Sequence, residues 1–171
     1  MKIKPMFRSA LFLAIVVLPA SAQNTLHSTP DVVRGRFMSI NQKILDMARD
    51  FPEDKYDFRL TSQMRSFREL IVHIAGGNIY AAKAGGGENV AWDEKIEPDP
   101  KDYKTKAAVV AMFEKTVSDA NAVLKNLPDS SFTKTVDPWV DVMEHSAEHY
   151  GLLVAYYRAI GIVPPASRPK K

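Results

Sequence analysis

Four stretches of this chain repeat apolar residues at alternating steps of three and four, each between its own start and stop signals. That spacing puts the apolar side chains on one face of an α-helix. The first stretch opens at Thr29-Pro30, a cap residue with proline at the first helical position, and runs through Val33, Phe37, Ile40, Ile44, Met47 and Phe51 to Pro52. The second opens with Ser66-Phe67-Arg68-Glu69, a capping box, and passes Leu70, Ile74 and Tyr80 before breaking at Gly85-Gly86-Gly87. The third starts near Thr105, carries Val110, Phe113, Val117, Ala120, Leu124 and Leu127, and stops at Pro128. The fourth takes Asp137 as cap and Pro138 as first residue, and ends at Gly161 before Pro164-Pro165. Strand-like alternation of useful length is absent. The pattern predicts an all-α four-helix bundle with left-handed, coiled-coil-like packing.

The connections are unequal. Between the second and third stretches run about twenty residues rich in glycine, proline and charge, long for a compact domain and expected to cross over the bundle. Trp92 lies within this crossover, expected as a packing plug or, as the alternative, a pocket wall.

The N-terminus reads differently. Lys2, Lys4 and Arg8 precede an apolar run over 10–18, and Ala20-Ser21-Ala22 fits a small-x-small cleavage pattern. This is the pattern of a secretory signal peptide, residues 1–22, cut after Ala22, which predicts a periplasmic or secreted protein. An apolar run that short falls well below the roughly 20 residues a helix needs to span a bilayer, so no stable membrane anchor is expected after cleavage. The leader's three basic residues equal the whole formal charge of +3, so the remaining chain is neutral and a basic nucleic-acid surface is not indicated. Residues 23–165 are expected to form one bundle domain, followed by a solvated basic tail over 166–171 containing Arg168, Lys170 and Lys171. The chain has no cysteine, which removes disulfides, thiolate ligands and a cysteine nucleophile.

The chemistry-bearing residues are histidines, of which there are four. His145 and His149 stand at i and i+4 on one helical face, within the stripe Val142, His145, His149, Leu152, Tyr156, so they interrupt an inward-facing row. Burying two unpartnered imidazoles costs about 1–3 kcal/mol each. A metal ion gripped by both satisfies them together, and His73 from the second helix would complete a set of three that leaves coordination positions open, as in catalytic zinc sites. Three separately hydrogen-bonded histidines are the alternative that spacing alone leaves open. His145-Ser146-Ala147-Glu148-His149 matches the H-x-x-E-H pattern of inverted zinc proteases, but no acid follows His149 to supply their further ligand. The Glu-x-x-His pattern of di-iron bundles fails too, because Val142 and Ser146 occupy the glutamate positions.

The stretch Ser66-Phe67-Arg68-Glu69-Leu70-Ile71-Val72-His73-Ile74-Ala75 resembles the second-helix signature of the DinB/YfiT-like superfamily. His145 and His149, followed by Tyr150-Gly151-Leu152-Leu153, Tyr156, Arg158, Gly161 and Pro164-Pro165, resemble that family's last helix and its exit. The similarity spans essentially the whole chain after the leader, in order and spacing. It implies an up-down-down-up bundle with a divalent metal held by His73, His145 and His149. Leu152 departs from the glutamine that members often carry after the glycine.

Imidazole ligands suit a divalent transition metal, zinc or nickel first. The resulting expectation is a metal-dependent enzyme, hydrolase-like, acting on a small-molecule substrate that the sequence does not identify. The alternatives are a non-catalytic metal- or ligand-binding module and a metal-dependent thiol S-transferase; a homodimer is an expected assembly. No catalytic acid or base is assigned. Glu148 and Asp141 lie about 80° and 60° around the helix from the midpoint of the histidine pair, and Glu69, at i−4, could orient His73, although its capping-box role already accounts for it.

Overall fold

The computed structural model describes residues 28–93, 95–134 and 136–169, and the predicted leader lies outside them. Four α-helices emerge: α1 (Thr29–Asp50), α2 (Phe67–Gly85), α3 (Lys106–Asn126) and α4 (Asp137–Ala159), with single 3₁₀ turns in the connections and no strand among the described residues. None of these helices is long and apolar enough to cross a membrane.

Local chemistry explains most of the boundaries. The capping box of α2 is complete: the Glu69 amide donates to Ser66 Oγ at 3.2 Å and the Ser66 amide to Glu69 Oε2 at 2.7 Å. Thr105 caps α3 through the Ala108 amide. Two caps differ from the sequence expectation. Ser28, extended at φ −63° and ψ 154°, accepts from the Asp31 amide, so Thr29 is already helical. For α4 the cap position is Val136 and carries no side-chain bond, because the chain enters with helical dihedrals after the 3₁₀ turn Asp129–Thr133. Asp137 therefore sits inside the first turn, where its charge favours the helix dipole.

Contacts at the helix ends set the directions. Arg34 near the start of α1 donates to the Leu127 carbonyl beyond α3 at 2.9 Å, so these helices are antiparallel. Tyr157 near the end of α4 donates to the Met47 carbonyl near the end of α1 at 2.8 Å, so α1 and α4 run together. Gly85 at the end of α2 lies against Trp139 at the start of α4, and Tyr156 donates to the Arg65 carbonyl just before α2, which makes that pair antiparallel. The order is up-down-down-up. Each of α1 and α2 packs on both α3 and α4. Since α2 and α3 run the same way, the crossover must return along the bundle.

The core has two aromatic ends. Phe51, Tyr56, Phe67, Tyr156 and Tyr157 fill one, with Phe51 stacked on Phe67 at 3.7 Å between centroids. Phe37, Trp139, Leu124 and Phe132 fill the other. Along α4 the buried face is Trp139, Val142, Ser146, Leu153, Tyr156 and Tyr157, so the true core line includes Ser146 and Leu153, while His145, His149 and Leu152 are only half-buried beside it. A helix wedged between α1 and α2 presents a broader face than one narrow stripe. The chain end is also less free than expected. Arg168 forms a forked pair with Asp50, at 2.7 and 2.5 Å, and this cation holds the Asp50 carboxyl below the usual range against the opposing effect of burial.

Candidate metal centre

The antiparallel packing of α2 on α4 brings His73 opposite the His145–His149 pair. Its Nε2 lies 3.0 Å from Nε2 of His145 and 3.1 Å from Nε2 of His149. The three rings stand edge to face, with centroids 4.4 to 4.8 Å apart. Each offers one ligand nitrogen, and these all lie within 4.8 Å of one another. The spatial cluster expected from the sequence is therefore present, residue for residue.

Hydrogen bonding alone does not account for it. Nδ1 of His73 meets Glu97 Oε1 at 2.5 Å. A carboxylate only accepts, so Nδ1 carries a proton, and in the neutral tautomer Nε2 turns its lone pair to the centre. One lone pair cannot serve two ring donors equally well, whereas a cation at the focus satisfies all three nitrogens. The donor geometry fits an ion. Nitrogens about 2.1 Å from a metal are about 3.0 Å apart when they subtend a right angle and about 3.4 Å at the tetrahedral angle. The two separations from His73, 3.0 and 3.1 Å, match the former.

The electrostatics suit this role. Burial, then repulsion from the neighbouring imidazoles and Arg65, pushes the His145 pKa down to about 3. Burial first, then His73 and Arg65, lowers that of His149 to about 4, against a small opposing effect of Glu97. Both rings are neutral at pH 7, the charge state in which an imidazole ligates a metal.

Glu97 is the site residue the sequence did not reveal. It comes from the crossover, with no periodicity to announce it, and the only available signal was an acid in an overlong loop. Glu69 keeps the capping-box role expected of it, accepting from the Ser66 amide and also from Arg59 at 2.6 Å, and does not reach His73. Both ties, opposing burial, leave its carboxyl below the normal range. Trp92 proves to be a wall: its ring stacks on Tyr80 at 4.7 Å and meets His145 edge-on at 4.8 Å. Trp92, His145, Asp141, Glu144 and Glu148 line a cleft of about 360 Å³. Asp141 and Glu148 are thus at the site, joined by Glu144, all three exposed. Tyr150 instead lies under the Lys43 ammonium and packs against the core. A larger groove of about 620 Å³ runs along the surface between α1 and α4, and among the described residues no metal-ligating cluster lies in it.

No protein-family model matches the chain, and no curated protein matches it. The geometry therefore carries the functional argument. An ion at the three histidines would supply Lewis acidity, polarising a carbonyl or phosphoryl oxygen and activating water. The chain's own contribution is a convergent donor set in which His145 and His149 are neutral, an aromatic wall and exposed carboxylates at the rim.

Proposed function

We propose that this chain is an exported, DinB-like protein that holds a divalent transition metal, zinc or nickel, on His73, His145 and His149, and uses it to hydrolyse a small-molecule substrate. The observation that carries this reading is the convergence of three imidazole nitrogens beside a solvent-open cleft. A structural site closes its coordination sphere with a fourth protein ligand, whereas three ligands beside a cleft suit substrate access. The up-down-down-up order and the placement of the histidines along α2 and α4 support the family resemblance. The acidic rim favours hydrolysis over transfer of an anionic thiol, because Asp141, Glu144 and Glu148 oppose a negative cofactor. Export rests on the leader pattern, and mass measurement of the periplasmic protein should find Gln23 at its start.

The test of activity is a panel of chromogenic esters, amides and phosphodiesters offered to the zinc- or nickel-loaded chain. Turnover that chelation abolishes, and that His145→Ala lacks, supports the hydrolase. A fully loaded protein inactive on every class supports the non-catalytic binding module instead.

A further inference from the structure

Two glycines in succession occupy the middle of α2, where each costs about 1 kcal/mol relative to alanine. Their neighbours explain them. A Cβ at Gly76 would stand 2.8 Å from Glu97 Cγ and 3.3 Å from Glu97 Cα, the second contact being with backbone that cannot swing away. A Cβ at Gly77 would stand 3.2 Å from the Trp92 indole. So both crossover residues that reach the histidines are seated on bare helix backbone. Gly76 follows His73 by three positions, which places the two on one face about a turn apart. Glu97 settled on Gly76 thereby delivers its carboxylate to His73 Nδ1, at 2.5 Å, while its other oxygen lies 3.9 Å from Arg65. The crossover is tied to α2 again farther on, where Arg68 donates to the Pro100 carbonyl at 2.8 Å.

We propose that Glu97, seated in the notch at Gly76, is a positioning residue of the metal centre, so that ion binding and docking of the crossover over the cleft are one linked equilibrium. The inference rests on the metal reading above and goes beyond it. An undocked crossover removes the partner that keeps the His73 proton on Nδ1, and with it the Trp92 wall against His145. The chain then binds an ion only in the docked fraction of molecules, and apparent affinity falls by that fraction. Reciprocity requires the converse: an ion that prefers the docked form must stabilise docking by the same factor.

The test is zinc affinity, read by competition with a chromogenic chelator, on the mature chain and on Glu97→Ala, Glu97→Gln and Gly76→Ala, with amide hydrogen exchange around Trp92 and Glu97 in each. Loss of such a partner typically weakens metal binding about 10- to 100-fold. Glu97→Ala and Gly76→Ala should both fall in that range. Glu97→Gln, which keeps the acceptor oxygen and the shape, should lie between them and the parent. Zinc should slow exchange in the crossover of the parent and leave that of Glu97→Ala unchanged. A Glu97→Ala chain with the parent's helicity and the parent's zinc affinity would overturn the proposal, as would parental zinc binding with no change in crossover exchange. A parent chain that binds no zinc or nickel at all overturns the metal reading itself, so the two failures are distinguishable. Should Gly76→Ala not fold, the near-isosteric Glu97→Gln still decides.

Discussion

A Cβ on Gly77 would stand 3.0 Å from Nδ1 of His145. The imidazole can approach α2 this closely only because α2 has no side chain there, and the same nitrogen is buried without a hydrogen-bond partner. The helix thus accepts a poor helix former where the His145 ring approaches it.

Gly77→Ala should therefore separate two properties. Alanine raises helix propensity by about 1 kcal/mol, but it crowds His145, Trp92 and Val142, and the ring must shift. Zinc affinity is expected to fall by about tenfold or more, while chelator competition and thermal melting are followed on the same samples. Unchanged affinity would show that His145 does not need this approach.

Two other glycines should respond in opposite directions. At Gly85 a Cβ would meet the Trp139 ring at 2.5 to 2.6 Å, so Gly85→Ala is expected to destabilise by about 1–3 kcal/mol through overpacking. Gly151 in α4 has nothing within 4 Å and an ordinary helical backbone, so Gly151→Ala should stabilise by about 0.5–1 kcal/mol. Urea unfolding of the two variants checks both signs.

Polar pairing in the core gives a third expectation. Asn78 donates to Asn41 Oδ1 at 2.9 Å, and Asn41 donates to the Phe37 carbonyl at 3.0 Å, both side chains being buried. Removing one partner strands the other, at about 1–3 kcal/mol beyond the packing loss. In a double-mutant cycle, Asn41→Ala with Asn78→Ala should cost less than the sum of the single changes, with a coupling of about 0.5–3 kcal/mol. Strict additivity would contradict the pairing.

Acid should unfold the metal-free chain through its histidines. In the folded protein His145 and His149 take up protons only near pH 3 and 4, whereas in the unfolded chain they do so near the ordinary value of 6.5. Below that ordinary value the unfolded state binds more protons, so stability falls as pH drops from about 6.5 towards 4 and is flat, for these groups, above it. A melting series across this window should show the slope, and His145→Ala should reduce it. A melting temperature independent of pH between those limits would contradict the burial of these rings.

The helices were legible because their limits are written locally. Ser66 and Glu69 announce a capping box, Pro52 and Pro128 announce stops, and a three-four rhythm needs no knowledge of distant residues. The histidine pair was legible for the same reason, being one turn apart on one helix. His73 was placed correctly only in so far as the bundle is antiparallel at α2 and α4, which the resemblance implied and the packing provides. What escaped is irregular or long-range. Glu97 reaches His73 from the crossover, Arg168 folds back on Asp50 from what reads as a loose tail, and Ser146 lies in the core although its type suggests otherwise. The caps at Ser28 and Val136 differ by one residue from the expected positions, because backbone dihedrals rather than residue type decide which residue turns first.

The most direct test of the three-histidine centre is the metal content and zinc affinity of the mature, untagged chain beside His73→Ala, His145→Ala and His149→Ala. One equivalent of a divalent transition metal in the parent, lost in each of the three variants while helicity is kept, is the expected result. A parent that holds no ion after reloading with zinc or nickel, or variants that hold it as firmly as the parent, would contradict the account.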